Sequence, residues 1–447
     1  MLIQRHKTLL LAFLCSLFSL FSLQALADDA LDQASELIKQ RHFKSAYELL
    51  EPLESERAGE IDYDYMLGVA AIESGEVSRG VFALERVLAQ QPNHLSARAM
   101  IAKGYFKGGE AENARAEFQN ILGQSDDPQL NKLIEDNMSA VDKATGQATT
   151  FAAFIEGSWG FDSNINSATS SSTVAVPGIA PGLNLTLTSA SREQSSKYLS
   201  VAAGASFRTP LSKNLSLFGS VQGSTRTNWN ENMFDPSYVD FSLGLNYKRF
   251  IDNFSIALQR NTYDIDGERF RKSHGVTAQW QRQLDDQNQV SVFLQTHDLN
   301  YPISGGVRDT QRSLGGVAWG HAFSGDKAPV IYLSGYYGQE DTDKSRFDFL
   351  SNDFYGARVG GQMVINYKLV AFANASYEIR DYDKEDPAFL KKREDDQYDF
   401  SVGMRYLPMP GWTIRPQLSY LKNDSNISLF DFDRTLLSVS VRKDFNW

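Results

Sequence analysis

The final segment of the chain alternates all the way to its last residue. Leu437, Val439, Val441, Phe445 and Trp447 share one parity, interrupted only by Lys443, while Ser438, Ser440, Arg442, Asp444 and Asn446 share the other. A strand places alternate side chains on opposite faces, so one face here suits lipid and the other a wet interior. The pattern recurs upstream. Val239, Phe241, Leu243, Leu245 and Tyr247 oppose Asp240, Ser242, Gly244, Asn246 and Lys248; Tyr398, Phe400, Val402, Met404 and Tyr406 oppose Asp399, Ser401, Gly403 and Arg405. Trp412, Ile414, Pro416, Leu418 and Tyr420 repeat it against Thr413, Arg415, Gln417 and Ser419. One edge strand of a soluble sandwich could alternate in this way, but many such strands with charges on the inner parity predict a closed, lipid-facing barrel. Beyond the N-terminus no stretch approaches the eighteen or so apolar residues of a spanning helix, so any membrane span is built from strands.

The start of the chain agrees with an exported protein. Arg5, His6 and Lys7 precede an apolar run from Leu9 to Leu23, and Ala25-Leu26-Ala27 offers a small-x-small cleavage site before Asp28. Residues 1–27 therefore read as a cleaved signal peptide. Cys15, the only cysteine, lies in that run, so the mature chain has no disulfide and no cysteine-based metal site. Loss of Arg5 and Lys7 takes the net charge from −11 to about −13, which disfavours nucleic acid as a partner.

Residues 28–148 read as a separate helical domain with an internal repeat. Ala46, Gly80 and Ala114 are spaced 34 apart, as are Leu50, Leu84 and Phe118, and Leu53, Val87 and Ile121, with Gly75 and Gly109 repeating in the last two units. Thirty-four residues is the tetratricopeptide period, and Leu67-Gly68, Gly75, Gly80, Leu84 and Pro92 fall at offsets similar to that family's. About three stacked units predict a short superhelix with a concave, cargo-binding side. Tyr63, Tyr65 and Tyr105 are candidates to line it, or else to pack helix against helix.

From residue 149 to 447 the helical period gives way to about fourteen strands, starting near 150, 196, 214, 237, 253, 271, 289, 309, 329, 351, 368, 394, 412 and 432. The connections after alternate strands are short, whereas those near 160–195, 227–236, 339–350, 381–393 and 423–431 are longer. Short turns mark the periplasmic end of such a barrel and long loops its outside, which puts the helical domain in the periplasm. Trp159, Trp229, Tyr263, Trp280, Tyr337, Tyr382 and Trp412 are expected in the interfacial girdles.

The barrel carries little that reads as chemistry. His274, His297 and His321 form no pair at metal-ligand spacing, so no metal, cofactor or catalytic residue is expected. The neighbourhood of His321 and Ser324 resembles outer-membrane phospholipases only faintly and lacks the following Asn. Acidic groups at Asp341/Asp343, Asp381 to Asp386 and Asp395/Asp396 read as solvated loops that could also attract divalent cations or lipopolysaccharide.

Two segments are more specific. Asp162-Ser163-Asn164-Ile165-Asn166 follows the first strand, and Trp412 to Tyr420, Asn423-Asp424-Ser425-Asn426-Ile427 and Asp433-Arg434-Thr435 close the chain. With the signal peptide, short tetratricopeptide domain and fourteen-strand barrel, they resemble the surface lipoprotein assembly modulator family, called Slam. That resemblance implies an outer-membrane translocon for surface lipoproteins or haem-binding secreted proteins, with Asp162, Asn164, Asn166, Asn423, Asp424 and Asn426 as the motif residues. Arg415 and Arg434 are lumen-side candidates for holding client carboxylates or carbonyls. Phe445 and Trp447 resemble the terminal signal read by the barrel-assembly machinery, a second expected partner beside outer-membrane lipid. The alternative is an exopolysaccharide exporter with a tetratricopeptide domain. Such proteins usually carry more repeats and a lumen of sustained charge, whereas Asp240, Lys248, Glu378, Arg380, Arg405 and Arg415 mix signs. An adhesion or receptor barrel is a third class.

Overall fold

A computed structural model describes residues 29–446; the expected signal peptide at 1–27 and the terminal Trp447 lie outside the described residues. Contacts divide the chain into two units, Met1–Ala148 and Thr149–Trp447.

The first unit is all helix: α1 (29–39), α2 (Phe43–Leu50), a single turn α3 (Glu54–Arg57), α4 (Ile61–Ser74), α5 (Val77–Gln90), α6 (Leu95–Lys107), α7 (Ala111–Ile121) and α8 (Pro128–Ala144). The 34-residue spacing has a physical basis, because it returns the same small or apolar residue to the same buried place on α2, α5 and α7. Ala46, Gly80 and Ala114 are all buried, and Leu50, Leu84 and Phe118 are fully so. Where α4 and α5 cross, a Cβ on Gly80 would stand 2.8 Å from the Gly68 carbonyl oxygen, so only glycine permits this approach. Gly75, at φ +107°, takes the left-handed conformation that ends α4 and turns the chain into α5. None of the described helices is long and apolar enough to cross a membrane.

The second unit is a closed antiparallel barrel of fourteen strands: β1 (Thr150–Asp162), β4 (Ser196–Pro210), β5 (Leu215–Asn228), β6 (Pro236–Arg249), β7 (Asp252–Ile265), β8 (Glu268–Gln283), β9 (Asn288–Asn300), β10 (Thr310–Ala322), β11 (Val330–Thr342), β12 (Asn352–Asn366), β13 (Leu369–Asp386), β14 (Lys391–Tyr406), β15 (Trp412–Ser425) and β16 (Phe432–Asn446). A separate hairpin, β2 (Thr173–Ala175) with β3 (Asn184–Thr186), stands in the first long connection. Each barrel strand pairs with its sequence neighbour, and β1 closes on β16 from Ala152 opposite Asn446 to Asp162 opposite Leu436. Closure removes the unpaired edges that lipid cannot satisfy.

Each of the fourteen barrel strands begins within three residues of its sequence-based position, whereas the β2–β3 hairpin falls where the sequence reads as one long connection. One loop differs. Residues 381–393 are not an extended loop: β13 runs to Asp386, β14 starts at Lys391, and Asp386 pairs with Lys391 and Glu385 with Lys392. Cross-strand charge complementarity keeps an acidic segment in a ladder that composition alone assigns to solvent.

One rim carries the connections 211–214, 250–251, 284–287, 323–329, 367–368 and 407–411, and the other carries 163–195, 229–235, 301–309, 343–351 and 426–431 together with the two tight turns 266–267 and 387–390. Both ends of the barrel chain, Thr150 and Asn446, lie on the short-turn rim. The outward parity holds Phe241, Leu243, Leu245, Phe400, Val402, Leu437 and Val439, all exposed. Inside, aromatic rings sit in slots left by glycines of adjacent strands. A Cβ on Gly338 would lie 2.3 Å from the Phe354 ring, and one on Gly403 2.6 Å from Phe372. Tyr382 is a correction to the girdle assignment: it is buried, with the Arg393 guanidinium 4.6 Å from its ring.

Candidate functional site at the barrel seam

The two motif segments sit at opposite ends of the barrel sequence, and closure makes them neighbours because β1 pairs with β16 and β16 with β15. Asp162, at the far-rim end of β1, is fully buried. Arg434 of β16 crosses the seam and grips it with both arms, Nε donating to Oδ1 at 3.0 Å and Nη2 to Oδ2 at 2.6 Å. From the other side Arg226 of β5 brings Nη1 to 2.8 Å of Oδ2, its guanidinium 3.8 Å from the ring centre of Tyr198 on β4. One carboxylate thus ties four consecutive strands, β5, β4, β1 and β16. A buried charge is tolerable only with such paired, charge-assisted hydrogen bonds.

The neighbouring asparagines fold the long loops back onto this node. Asn164 donates from Nδ2 to the carbonyls of Ala168 and Asp433, both at 2.8 Å, and accepts from Ala168 N through Oδ1 at 3.0 Å. Ser163 Oγ accepts from Thr435 N at 2.8 Å. Asn166 bonds the carbonyl of Arg192 at 2.7 Å and accepts from Gln194 N at 3.1 Å, closing the loop of residues 163–195 at its base. On the β15 side Asn423 donates to the Phe430 carbonyl at 2.7 Å, and Asn426 donates to Lys392 O at 2.8 Å while accepting from Glu394 N at 3.1 Å. Asp424 does not join them; its nearest cation is Lys422 at 3.5 Å. Above the node, Val174, Val176, Phe389 and Ile427 form a buried apolar cluster from three different connections. Arg226, Tyr198 and the buried Asn228, which donates to Phe234 O at 3.1 Å, are parts of this arrangement that the sequence reading missed.

The cargo candidates separate. Tyr63 lines no surface: it is fully buried and its hydroxyl donates to Leu50 O at 2.8 Å. Tyr65 is half-buried, its ring 5.1 Å from that of His94, and Tyr105 packs between two apolar clusters of the helical unit. Burial raises the phenol pKa of all three, so they act as neutral hydroxyls. Arg434 is committed to Asp162 and is not free to hold a client. Arg415 points into the lumen, pairs with Glu156 of β1 at 3.0 Å and helps to line a cavity of about 500 Å³ with Tyr332, Gln362, Asn374 and Arg405. Phe445 lies on the outward parity opposite Ala153, half exposed.

His321 and Ser324 do not meet as a catalytic pair. The His321 ring nitrogen Nδ1 is 2.8 Å from Asn288 Oδ1, whereas Ser324 Oγ accepts from Gln287 at 2.7 Å. Among the described residues no group of three or more His, Cys, Asp or Glu is placed to hold a metal ion.

Residues 154–445, nearly the whole barrel, match the family described as Surface lipoprotein assembly modifier. The chain belongs to that family. As a surface lipoprotein assembly modifier with a closed fourteen-strand barrel, it is an outer-membrane protein whose helical domain is periplasmic, and family and fold point to transport or assembly rather than catalysis. Family membership implies surface lipoproteins as its clients. No curated protein matches the chain. Among solved structures, the outer-membrane channel DcaP of Acinetobacter baumannii is 12% identical over 67% of this chain and 98% of its own, with a TM-score of 0.40. A Pseudomonas aeruginosa FadL homologue is 11% identical over 66% and 90%, at 0.36. The Yersinia enterocolitica type III secretion translocator chaperone SycD is 10% identical over 27% and 85%, at 0.24.

Proposed function

We propose that this chain is the outer-membrane translocon that carries partner surface lipoproteins, or related haem-binding secreted proteins, from the periplasm to the cell surface. The observation that carries the reading is the meeting of the two family-like segments in one buried node at the closing seam of the barrel. In this reading the node keeps the seam and the outer loops shut at rest, and the periplasmic helical domain, a tetratricopeptide-like superhelix, captures the client or its chaperone. Tyr65 and Tyr105 remain its candidate contacts. Arg415 is the lumen residue best placed to meet a passing polypeptide, because its partner Glu156 can yield to a client carboxylate of similar geometry. The barrel-assembly machinery is the expected route of insertion, guided by Phe445 and Trp447.

Photo-crosslinking tests this reading in cells that make a surface lipoprotein client. A crosslinking amino acid at position 415, on the lumen wall, should capture the client, and one at the lipid-facing position 418 should not. Delivery of the client to the surface with no adduct at 415 contradicts passage along this wall. A polysaccharide adduct at 415 replaces the reading with that of an exporter.

A further inference from the structure

A second region of the lumen is built differently from the seam. Toward the far rim, Arg271 of β8, Arg308 of the connection between β9 and β10, Arg312 of β10, Arg380 of β13 and Arg393 of β14 all line one cavity of about 210 Å³, with Glu340 as its only lining carboxylate. Two of the five are held by acids beside the cavity, Arg380 by Glu378 at 2.8 Å and Arg393 by Asp395 at 2.5 Å. Counting these acids with Glu340 still leaves two guanidinium charges in excess. Arg271, Arg308 and Arg312 make no ion pair among the described residues. The guanidiniums of Arg312 and Arg380 lie 4.5 and 5.3 Å from the ring of the fully buried Phe354, which brings two like charges onto one side chain. The Nε atoms of Arg271 and Arg312 are buried and have no hydrogen-bond acceptor. Buried donors on unpaired cations are expensive, by about 1–3 kcal/mol for each unmade hydrogen bond and more for a charge, unless an acceptor of opposite sign meets them.

We infer that this cavity is a binding site for a small oxyanion, a phosphate or a carboxylate, held by Arg271, Arg308 and Arg312. The guanidinium fork matches the oxygen spacing of both groups and offers paired donors to each. Leu299, Leu350, Tyr301 and Tyr382, with the polar Thr310 and Asn352, complete the walls, so the space takes a compact anion and not an extended chain. Arg271 and Arg312 also line the adjoining cavity of about 590 Å³, whose other sides carry Gln222, Gln259 and Gln295 with Arg260, Arg358 and one carboxylate, Asp240, a polar approach in which arginine outnumbers acid. This assignment does not depend on the identity of the client.

The test is isothermal titration of the purified full-length protein in detergent with sodium phosphate and, separately, succinate, at constant ionic strength set by chloride. Saturable binding of one anion per barrel is expected. It should be weakened at least about tenfold in the double variant Arg271→Gln/Arg312→Gln and unchanged in Arg249→Gln at the opposite rim. Preference for phosphate or for succinate identifies the chemical source. Heat-modifiable migration reports folding of the double variant; should it fail, the single variants Arg271→Gln and Arg308→Gln are read instead, and each should bind severalfold more weakly. Absence of saturable binding, binding that survives these substitutions, or binding of poly-glutamate with neither small anion overturns the assignment.

Discussion

The helical unit and the barrel solve the burial problem with opposite signs. In the helical unit Leu50, Leu84, Val87 and Phe118 are fully buried, ion pairs such as Arg79 with Glu51 sit outside, and Asp64, held by Arg86, is the one charged side chain among the described residues of that unit that is fully buried. In the barrel Leu243, Val402 and Leu437 face outward while Asp162, Asn164 and Asn228 are fully buried. The solvent accounts for the reversal. Water rewards the removal of apolar surface in the first unit, whereas lipid removes that reward in the second and leaves polar satisfaction and backbone closure to hold the fold. Position within the barrel therefore decides what a substitution does more than its hydrophobicity does.

The largest expected effect tests closure. Truncation from Leu437 removes most of β16, leaves β1 and β15 with open edges, and should abolish heat-modifiable migration on gels, while the helical unit keeps its helical circular dichroism. Next comes the node. Asp162→Asn leaves Arg226 and Arg434 sharing no anion, a change that costs about 3–5 kcal/mol for a broken buried pair. The barrel should still form, but protease added to intact cells should cut within residues 163–195 much faster than in wild type. Unchanged protection would mean that the loop is held by its asparagines alone.

A paired substitution breaks the inside-outside contrast directly. Leu243→Arg puts a charge in lipid and should lower barrel stability by about 2–4 kcal/mol in reversible urea unfolding, whereas Ser242→Arg on the adjacent lumen parity should cost far less. Equal losses would refute the assigned faces. The smallest effect lies in the helical unit. Burial pushes the Glu73 carboxyl upward, but hydrogen bonds from Lys103 and Lys107 outweigh it and leave the pKa below its ordinary value. A carboxylate with a depressed folded pKa adds stability above its unfolded pKa, near 4.5, and loses it as pH falls through the lower folded value. The helical melting temperature should therefore drop between roughly pH 5 and 3, and Glu73→Gln should flatten that drop.

Much of this was legible in the sequence because it depends on local period. Val239 to Lys248 announces both faces of β6, and Ala46, Gly80 and Ala114 announce the helical packing, without knowledge of any neighbour. The node was legible only in halves. Asp162 and Arg434 stood out within their segments, but that they meet, and that Arg226 and Tyr198 join them, follows from barrel closure and strand register, which no short segment contains. The same holds for Arg271, Arg312 and Arg393, which are distant in the chain and converge on one cavity. Residues 381–393 misled because acidic composition resembles a loop, while their lysine partners lie across a turn that composition does not reveal.

Protease shaving of intact cells is the most direct test of the central claim. A surface lipoprotein client is expressed with and without this chain, and its exposed fraction is measured along with its synthesis and signal cleavage. Loss of the chain should leave the client made and processed but protected in the periplasm, and restoring the chain should restore exposure. Unchanged exposure without the chain, with a fall in polysaccharide export instead, would contradict the account.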